Sequence, residues 1–349
     1  MLTLLQKIRN WEQWPFKVLY APITPVWVWY ALRSRSIWFF TPSNPKLTFG
    51  GMEGEPKKEM HELLPPHLCP RYFNVSASES FEEILRRLRD TRIPFPLIVK
   101  PEVGGQGILF RKINNEAALR YYHEHMPVEY VIQEFIQYPL EVSLFYYRYP
   151  RAARGTITGF LQKIPMQVVG DGVRSLRELI QGHPKASKRL DELIARHEHN
   201  LSRVLARGEK YMLSYAANHN RGALFVDLKQ EIDEELTRLL DEISISVNDF
   251  FYGRYDIMCQ SIDGLKKGKD YVILEYNGCG AEPNHFYDTG YTLWNAWKEI
   301  LKHWKVLFEI SRENHRAGIP YWPTLKGYRF IMQTRKYYKK IKEADRIIP

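Results

Sequence analysis

Four polar residues in two short apolar segments carry the first chemical signal. YGRYDIMC places Arg254 and Asp256 two residues apart, and YVILEYNG places Glu275 and Asn277 two residues apart. In a strand, side chains at i and i+2 share a face. The intervening SIDGLKKGKD carries Asp-Gly and Lys-Gly turn signals, so an antiparallel hairpin is expected. One arginine, two carboxylates and an amide would then meet on one patch. Desolvating that much charge is costly unless something compensates it. A hard cation bound by oxygen ligands and itself holding substrate phosphates would do so, and magnesium is the usual occupant. A surface hairpin with a structural Arg–Asp pair is the other reading of these two segments.

The elements that must position such a patch have ample chain to draw on. With 349 residues, 44% hydrophobic and 26% charged, the sequence predicts two or three packed domains rather than disorder. Lys and Arg number 50 against 40 Asp and Glu, and the net charge of +10 suits an anionic ligand, an acidic membrane surface or nucleic acid. Cys69, Cys259 and Cys279 have no CxxC spacing, which argues against a disulfide framework or zinc module and for a reducing compartment. The Met1 end runs into charged LLQKIRNWEQW without the pattern of a signal peptide. A cytoplasmic location is therefore expected, with peripheral attachment to the inner face of a membrane as an addition to it. The apolar run from Val18 to Leu32 is shorter than the ~20 residues of a spanning helix and contains Pro22 and Pro25. Its aromatics beside Lys17, Arg33 and Arg35 suit either a membrane–water interface or packing on the core, and core packing is the expectation adopted. From Lys326 onward, tyrosines and basic residues interleave at helical spacing, which suits contact with anionic lipid, as residues 1–50 do, or with RNA, although a terminal helix with a solvated face is the commoner case. No nucleic-acid-binding motif accompanies them, so nucleic acid is the least supported partner.

Along the chain, residues 1–55 read as aromatic-rich and irregular, and KKEMHELL as a helix. SFEEILRRLRD is a helix with Ser80 as its cap and Glu83 completing a capping box. FPLIVKP is a strand, VGGQG a glycine-rich turn and ILFRKI a returning strand. NNEAALRYYHEHM is a helix, and YVIQEFI, EVSLFYYRY and GTITGFLQKIPMQVV are strands. VGDGVRSLRELI turns into a short helix, residues 185–207 are polar and helical, and 231–250 and 291–311 are amphipathic helices. Helices and strands mix with many antiparallel connections, so the expected fold class is α+β. The expected divisions are an N-terminal region 1–55, a smaller lobe 56–137, a larger lobe 138–312 bearing the metal site, and a basic tail 313–349.

In this order, the segments resemble the ATP-grasp superfamily, in which two α+β lobes clasp a nucleotide. Within it they are similar to the D-alanine–D-alanine ligase and cyanophycin-synthetase-like branch of carboxylate–amine ligases. The resemblance spans about Gly51 to Ser311. FPLIVKPEVGGQGILF looks like the family's lysine strand and phosphate-covering loop, which implies that Lys100 and the backbone of Gly104, Gly105 and Gly107 meet the nucleotide phosphates. GEPKKEMHELLPPHLCP is similar to the segment bearing a second phosphate lysine, for which Lys58 is favoured over Lys57. YVIQEFIQYPLEVSLF looks like the adenine strand. It implies that backbone groups of Glu134 and Ile136 read the base, that Phe135 walls the pocket and that Glu141 holds the ribose. ITGFLQKIPMQVVGDG implies a further phosphate contact in Lys163. ANHNRGALFVD, with His219 and Arg221, resembles the loop that approaches the acyl-phosphate. Asp256, Glu275 and Asn277 match the family's magnesium ligands, and Arg254 the arginine that stabilises the transferred phosphoryl group.

The resemblance implies ATP and two magnesium ions (or manganese) as cofactors, and an ADP-forming ligation of a carboxylate to an amine through an acyl-phosphate. GCGAEPNHFYD departs from the serine-bearing turn of D-alanine ligases, so D-alanine is not the expected substrate; Glu282 and His285 would lie near an acceptor pocket. The alternatives are an ATP-grasp phosphotransferase and a membrane-associated nucleotide-binding protein without ligase activity.

Overall fold

The computed structural model describes residues 11–186, 189–247 and 250–348. The Met1 end read for a leader lies almost wholly outside them. The N-terminal region expected to be irregular is largely helical: α1 (Phe16–Tyr20) leads to α2 (Thr24–Ser34). Pro25 lies in the first turn of α2, where a missing N–H removes no helical bond, so it starts the helix rather than interrupting it. α3 (Lys57–Leu63) and β1 (Tyr72–Val75) follow. α4 (Phe81–Thr91) is capped by Ser80, which accepts from the Glu83 N–H. The reciprocal half of the expected box is replaced, because the Glu83 carboxylate takes the Arg86 guanidinium.

β2 (Leu97–Pro101), β3 (Arg111–Ile113), α5 (Glu116–His125), β4 (Tyr130–Glu134), β5 (Leu140–Tyr147) and β6 (Thr156–Ile164) lie where alternation placed them. After β7 (Gln167–Val169), Ser175 and Glu178 form a complete capping box on α6 (Leu176–Gln181). Among the described residues, the polar stretch 185–207 contains α7 (Leu190–Arg196) and a 3-10 turn at Glu198–Asn200, less helix than its composition implied. β8 (Lys210–Met212), β9 (Leu224–Asp227), α8 (Glu234–Val247), β10 (Tyr252–Cys259), α9 (Ile262–Lys266) and β11 (Tyr271–Asn277) follow. The chain closes with α10 (Leu293–Arg316) and α11 (Thr324–Ala344). The fold is thus mixed helix and sheet, as expected.

Two compact units interleave along the sequence. The first takes the residues up to Pro70, Tyr138–Gln162 and Asp227–Tyr337; the second takes Arg71–Gln137, Lys163–Val226 and the residues from Tyr338 onward. In the first, β11, β10, β5 and β6 lie side by side. Along β10, Tyr255, Ile257 and Cys259 face a core that includes Leu236, Leu240 and Ile243 of α8, which leaves Arg254 and Asp256 on the opposite face. A second core joins Phe39, Phe40 and Phe49 to Leu307, Phe308 and Ile310 of α10. This bears out core packing for part of the aromatic region. In the second unit, β1-β4-β2-β3 form an antiparallel sheet, and a β7–β8 ribbon packs with α6 and α7 around Met166, Leu176, Ile180 and Leu205. Among the described residues, no helix is long and apolar enough to cross a membrane.

Candidate functional site

β10 and β11 pair antiparallel, with Asp256 opposite Glu275 and Arg254 opposite Asn277. The expected hairpin is present, although its connection is the short helix α9 rather than a simple turn. The register shifts just after Asp256, a bulge of the kind that re-aims side chains near functional sites. Arg254 approaches Asp256 with Nε 3.3 Å from Oδ1 and Nη2 3.4 Å from Oδ2, and its Nη1 donates to the Glu282 carbonyl at 3.2 Å. Asn277 Nδ2 lies 3.4 Å from Asp256 Oδ2. Four polar groups from two strands therefore share one patch.

More carboxylates surround it than the sequence suggested. Burial pulls the Arg254 guanidinium down, but Asp256, then Glu275 and Glu282, outweigh it and hold the group above its ordinary value. Burial raises Glu282, opposed by hydrogen bonds from Tyr20 (2.6 Å) and Tyr287 (3.1 Å) and by Arg254. Glu55, which nothing in the motif pattern marked, is pushed up to about 7, first by burial and further by the charge of Glu275. The segment after Asn277 is held by backbone: Cys279 N–H donates to Gly50 O at 3.1 Å and Gly280 N–H to Gly51 O at 2.8 Å. A Cβ on Gly278 would stand 2.7 Å from Gly50 O and 2.8 Å from Gly51 Cα, so only glycine allows this approach. The pairing of Gly50 and Gly51 with the segment after Asn277 is a tertiary fact.

These donors fit magnesium. Asp256 and Glu275 offer carboxylates from directly opposed positions of the strand pair, Asn277 adds an amide, and the local excess of negative charge is what a hard cation relieves. Lys58 and Glu141 belong to the same unit: Lys58 is exposed on α3, and Glu141 stands opposite Met258 in the β5–β10 pair.

The remaining predicted residues belong to the second unit. Lys100 on β2 and Lys163 on β6 are 7% and 5% exposed, unusual for lysine. In the glycine loop, Gln106 and Gly107 adopt positive φ of 58° and 70°. Arg221, buried, clamps that loop: Nε donates to Gln106 O at 2.8 Å and Nη2 to Gly107 O at 3.1 Å. Nη1 meets Glu192 at 3.0 Å, and Nη2 also reaches Asp345 at 3.4 Å. A Cβ on Gly107 would come 2.8 Å from Ala216 Cβ, so the clamp depends on that glycine. Gly104 and Gly105 complete the loop. Phe135 lies edge-on to Tyr215 at 6.1 Å, with Lys112 Nζ 4.2 Å from the Phe135 ring centre. Glu134 grips Arg71 with both oxygens at 2.9 and 2.7 Å, and its N–H donates to Arg71 O, so that backbone donor already has a partner. Ile136, two residues on, is half-buried.

Solved structures give distant likenesses. D-alanine–D-alanine ligase from Bacillus anthracis aligns at 14% identity and TM-score 0.43, over 78% of this chain and 72% of that one. VanG D-Ala:D-Ser ligase from Enterococcus faecalis aligns at 12% and 0.41, over 73% and 62%. A bifunctional glutathione synthetase from Pasteurella multocida aligns at 16% and 0.36, over 70% of this chain and only 36% of its own length. Likenesses this distant carry no argument about the reaction. No protein-family model and no curated protein matches the sequence.

Proposed function

We propose that this chain is an ATP-grasp ligase that joins a carboxylate to an amine. ATP transfers its γ-phosphoryl group to the carboxylate, giving an acyl-phosphate and ADP. The amine then attacks the acyl carbon, and phosphate leaves as the amide forms. The observation that carries this reading is the β10–β11 register, which sets Asp256 opposite Glu275 with Arg254 and Asn277 two pairs along on the same face. The ordered motifs of the sequence point the same way.

Asp256, Glu275 and Asn277 would hold magnesium, which when bound supplies neutralising charge and Lewis acidity to the phosphates. Arg254 lies among these residues and would stabilise charge on the phosphoryl group in flight. Lys100, Lys163 and Lys58 would bind nucleotide phosphates, and Gly104, Gly105 and Gly107 would offer backbone N–H groups. In this reading Arg221 acts by fixing the glycine loop's carbonyls, so that the opposite edge of the loop is preorganised. Phe135 and Ile136 would contact adenine, and Glu141 the ribose. Glu282, beside Arg254, suits a cationic acceptor.

Calorimetry with ATP, with and without magnesium, tests this on the wild type and Glu275→Gln. Magnesium-dependent binding that the substitution weakens at least tenfold is expected. ATP binding that is indifferent to both would refute it. Product analysis separates the ligase from a phosphotransferase, which would yield ADP and a phosphorylated product without free phosphate.

Peripheral membrane attachment is proposed on a specific observation. α2 turns Trp27, Tyr30 and Ala31 inward, but Trp29 and Leu32 are 57% and 68% exposed, beside Arg33 and Arg35. Leu325 and Tyr328, at 58% and 59%, repeat the pattern on basic α11. Apolar side chains rimmed by cations suit an anionic lipid surface.

A further inference from the structure

We propose that His285, Glu299 and His303 form a site for one divalent transition-metal ion of the zinc class, separate from the magnesium ligands. Glu299 and His303 lie four residues apart on α10 and so share a face. His285 comes from the 3-10 turn Asn284–Phe286, which follows β11. All three belong to the first unit, and their ligand atoms lie within 4.8 Å of one another.

Two details favour a shared ion over a hydrogen-bonded cluster. His285 Nε2 is 3.4 Å and His303 Nε2 is 3.2 Å from the same oxygen, Glu299 Oε1. Yet neither contact is aligned as a hydrogen bond: His303 Nε2 and both ring nitrogens of His285 are buried without a hydrogen-bond partner. Leaving such buried groups unsatisfied is costly, because they lose their water partners on burial and gain none in exchange. A tetrahedral ion with bonds of about 2.0–2.1 Å sets neighbouring ligand atoms roughly 3.3 Å apart, the bond length times about 1.63. Each lone pair then points at the ion, about 35° away from the next ligand atom. The spacing that is poor for N–H···O is therefore the spacing that a common ion imposes.

The surroundings suit ligation. Tyr252 OH stands 3.3 Å from His303 Nδ1, the outer partner that fixes a ligating imidazole's tautomer. The His285 ring fills the space where Gly159 would carry a Cβ, so the glycine makes room for it. Two imidazoles and one carboxylate select zinc-class ions over magnesium. Such an ion would tie the loop that carries Glu282 to α10.

The test uses full-length protein stripped with a chelator, then dialysed against zinc or cobalt(II) with magnesium in excess. One zinc per chain, surviving gel filtration and raising the melting temperature, is expected. Cobalt should give the intense visible bands of a four-coordinate ion. Glu299→Gln and His303→Ala should each weaken zinc by more than the roughly 10–100-fold that loss of an outer partner costs. Glu275→Gln should leave zinc stoichiometry unchanged. No zinc above background in the wild type, or cobalt with the pale spectrum of the aquo ion, would overturn the proposal. So would zinc retained by both ligand variants, which would place it on other groups. Because stripping and reloading the wild type decides alone, a variant that fails to fold does not shield the proposal.

Discussion

Replacing Asn44 by alanine should loosen the metal strands from a distance. Asn44 is fully buried, and its amide serves four backbone groups. Nδ2 donates to Gly50 O at 3.1 Å and to Tyr252 O at 2.8 Å, while Oδ1 accepts from Phe251 N–H at 3.0 Å and Tyr252 N–H at 3.1 Å. It thereby joins the turn packed on Gly278 to the start of β10. Alanine orphans three of these groups, since Gly50 O keeps its bond from Cys279 N–H, at about 1–3 kcal/mol each, and water admitted to the cavity recovers part of this. A net loss of about 4 kcal/mol is expected, which for a chain of this size lowers the melting temperature by about 5 °C. Asn44→Asp keeps the two acceptor bonds and should fall between alanine and wild type. Urea unfolding followed by tryptophan fluorescence and far-ultraviolet circular dichroism measures both. A loss below about 1 kcal/mol for alanine would refute the reasoning, because three orphaned buried groups cannot be that cheap.

Gly278→Ala drives a methyl against backbone atoms of Gly50 and Gly51 that cannot rotate away, and should cost about 1–3 kcal/mol in the same unfolding assay. Glu55 titrates near 7 folded against 4.5 unfolded, so the folded state binds the extra proton. Stability is then fully present below about pH 4.5 and lost as pH rises through 7, by up to about 3 kcal/mol, and Glu55→Gln should flatten that slope. Co-sedimentation with phosphatidylserine vesicles should fall severalfold for the pair Trp29→Ser and Leu32→Ser, with no change in the melting temperature. Equal sedimentation of that pair and the wild type would remove α2 from any lipid contact.

Much of this fold is visible in local patterns, and the exceptions have physical causes. The period-two alternation of β10 and the amphipathic period of α8 and α10 locate those elements, because one face of each meets the core. α2 is misread as irregular because Pro25 reads as a breaker, whereas in a first turn proline is compatible with helix. Glu83 is half of a capping pattern, but an exposed arginine one turn on competes for its carboxylate. At the site, Arg254, Asp256, Glu275 and Asn277 are legible from spacing because a strand pair converts i, i+2 into a shared face. Glu55, Tyr20 and Asn44 are not legible, since their partners lie more than two hundred residues away in sequence. The clamp from Arg221 to the glycine loop spans 115 residues and is hidden likewise: a motif names both segments but not which atoms the guanidinium holds.

The carboxylates around Arg254 bear on whether this patch is a structural ion pair or a cation site. A structural Arg–Asp pair closes to about 2.7–2.9 Å with two parallel bonds, but here the approaches are 3.3 and 3.4 Å. One guanidinium also faces the charges of Asp256, Glu275 and Glu282, and Glu55 lies near enough to feel Glu275. That excess has two remedies, a bound proton or a bound cation. Burial contributes most to the raised value of Glu55, and Glu275 adds to it. Neutralising Glu275 should therefore lower the Glu55 value, and a cation held by Glu275 should do the same. Titrating Glu55 by carboxyl NMR in the wild type, in Glu275→Gln and with magnesium added compares the two remedies directly. Downward shifts under both are expected, because both remove the same repulsion. A Glu55 value that falls in Glu275→Gln but ignores magnesium would mean that the carboxylates repel one another without gathering a cation, and the strand pair would lose its place as the metal site.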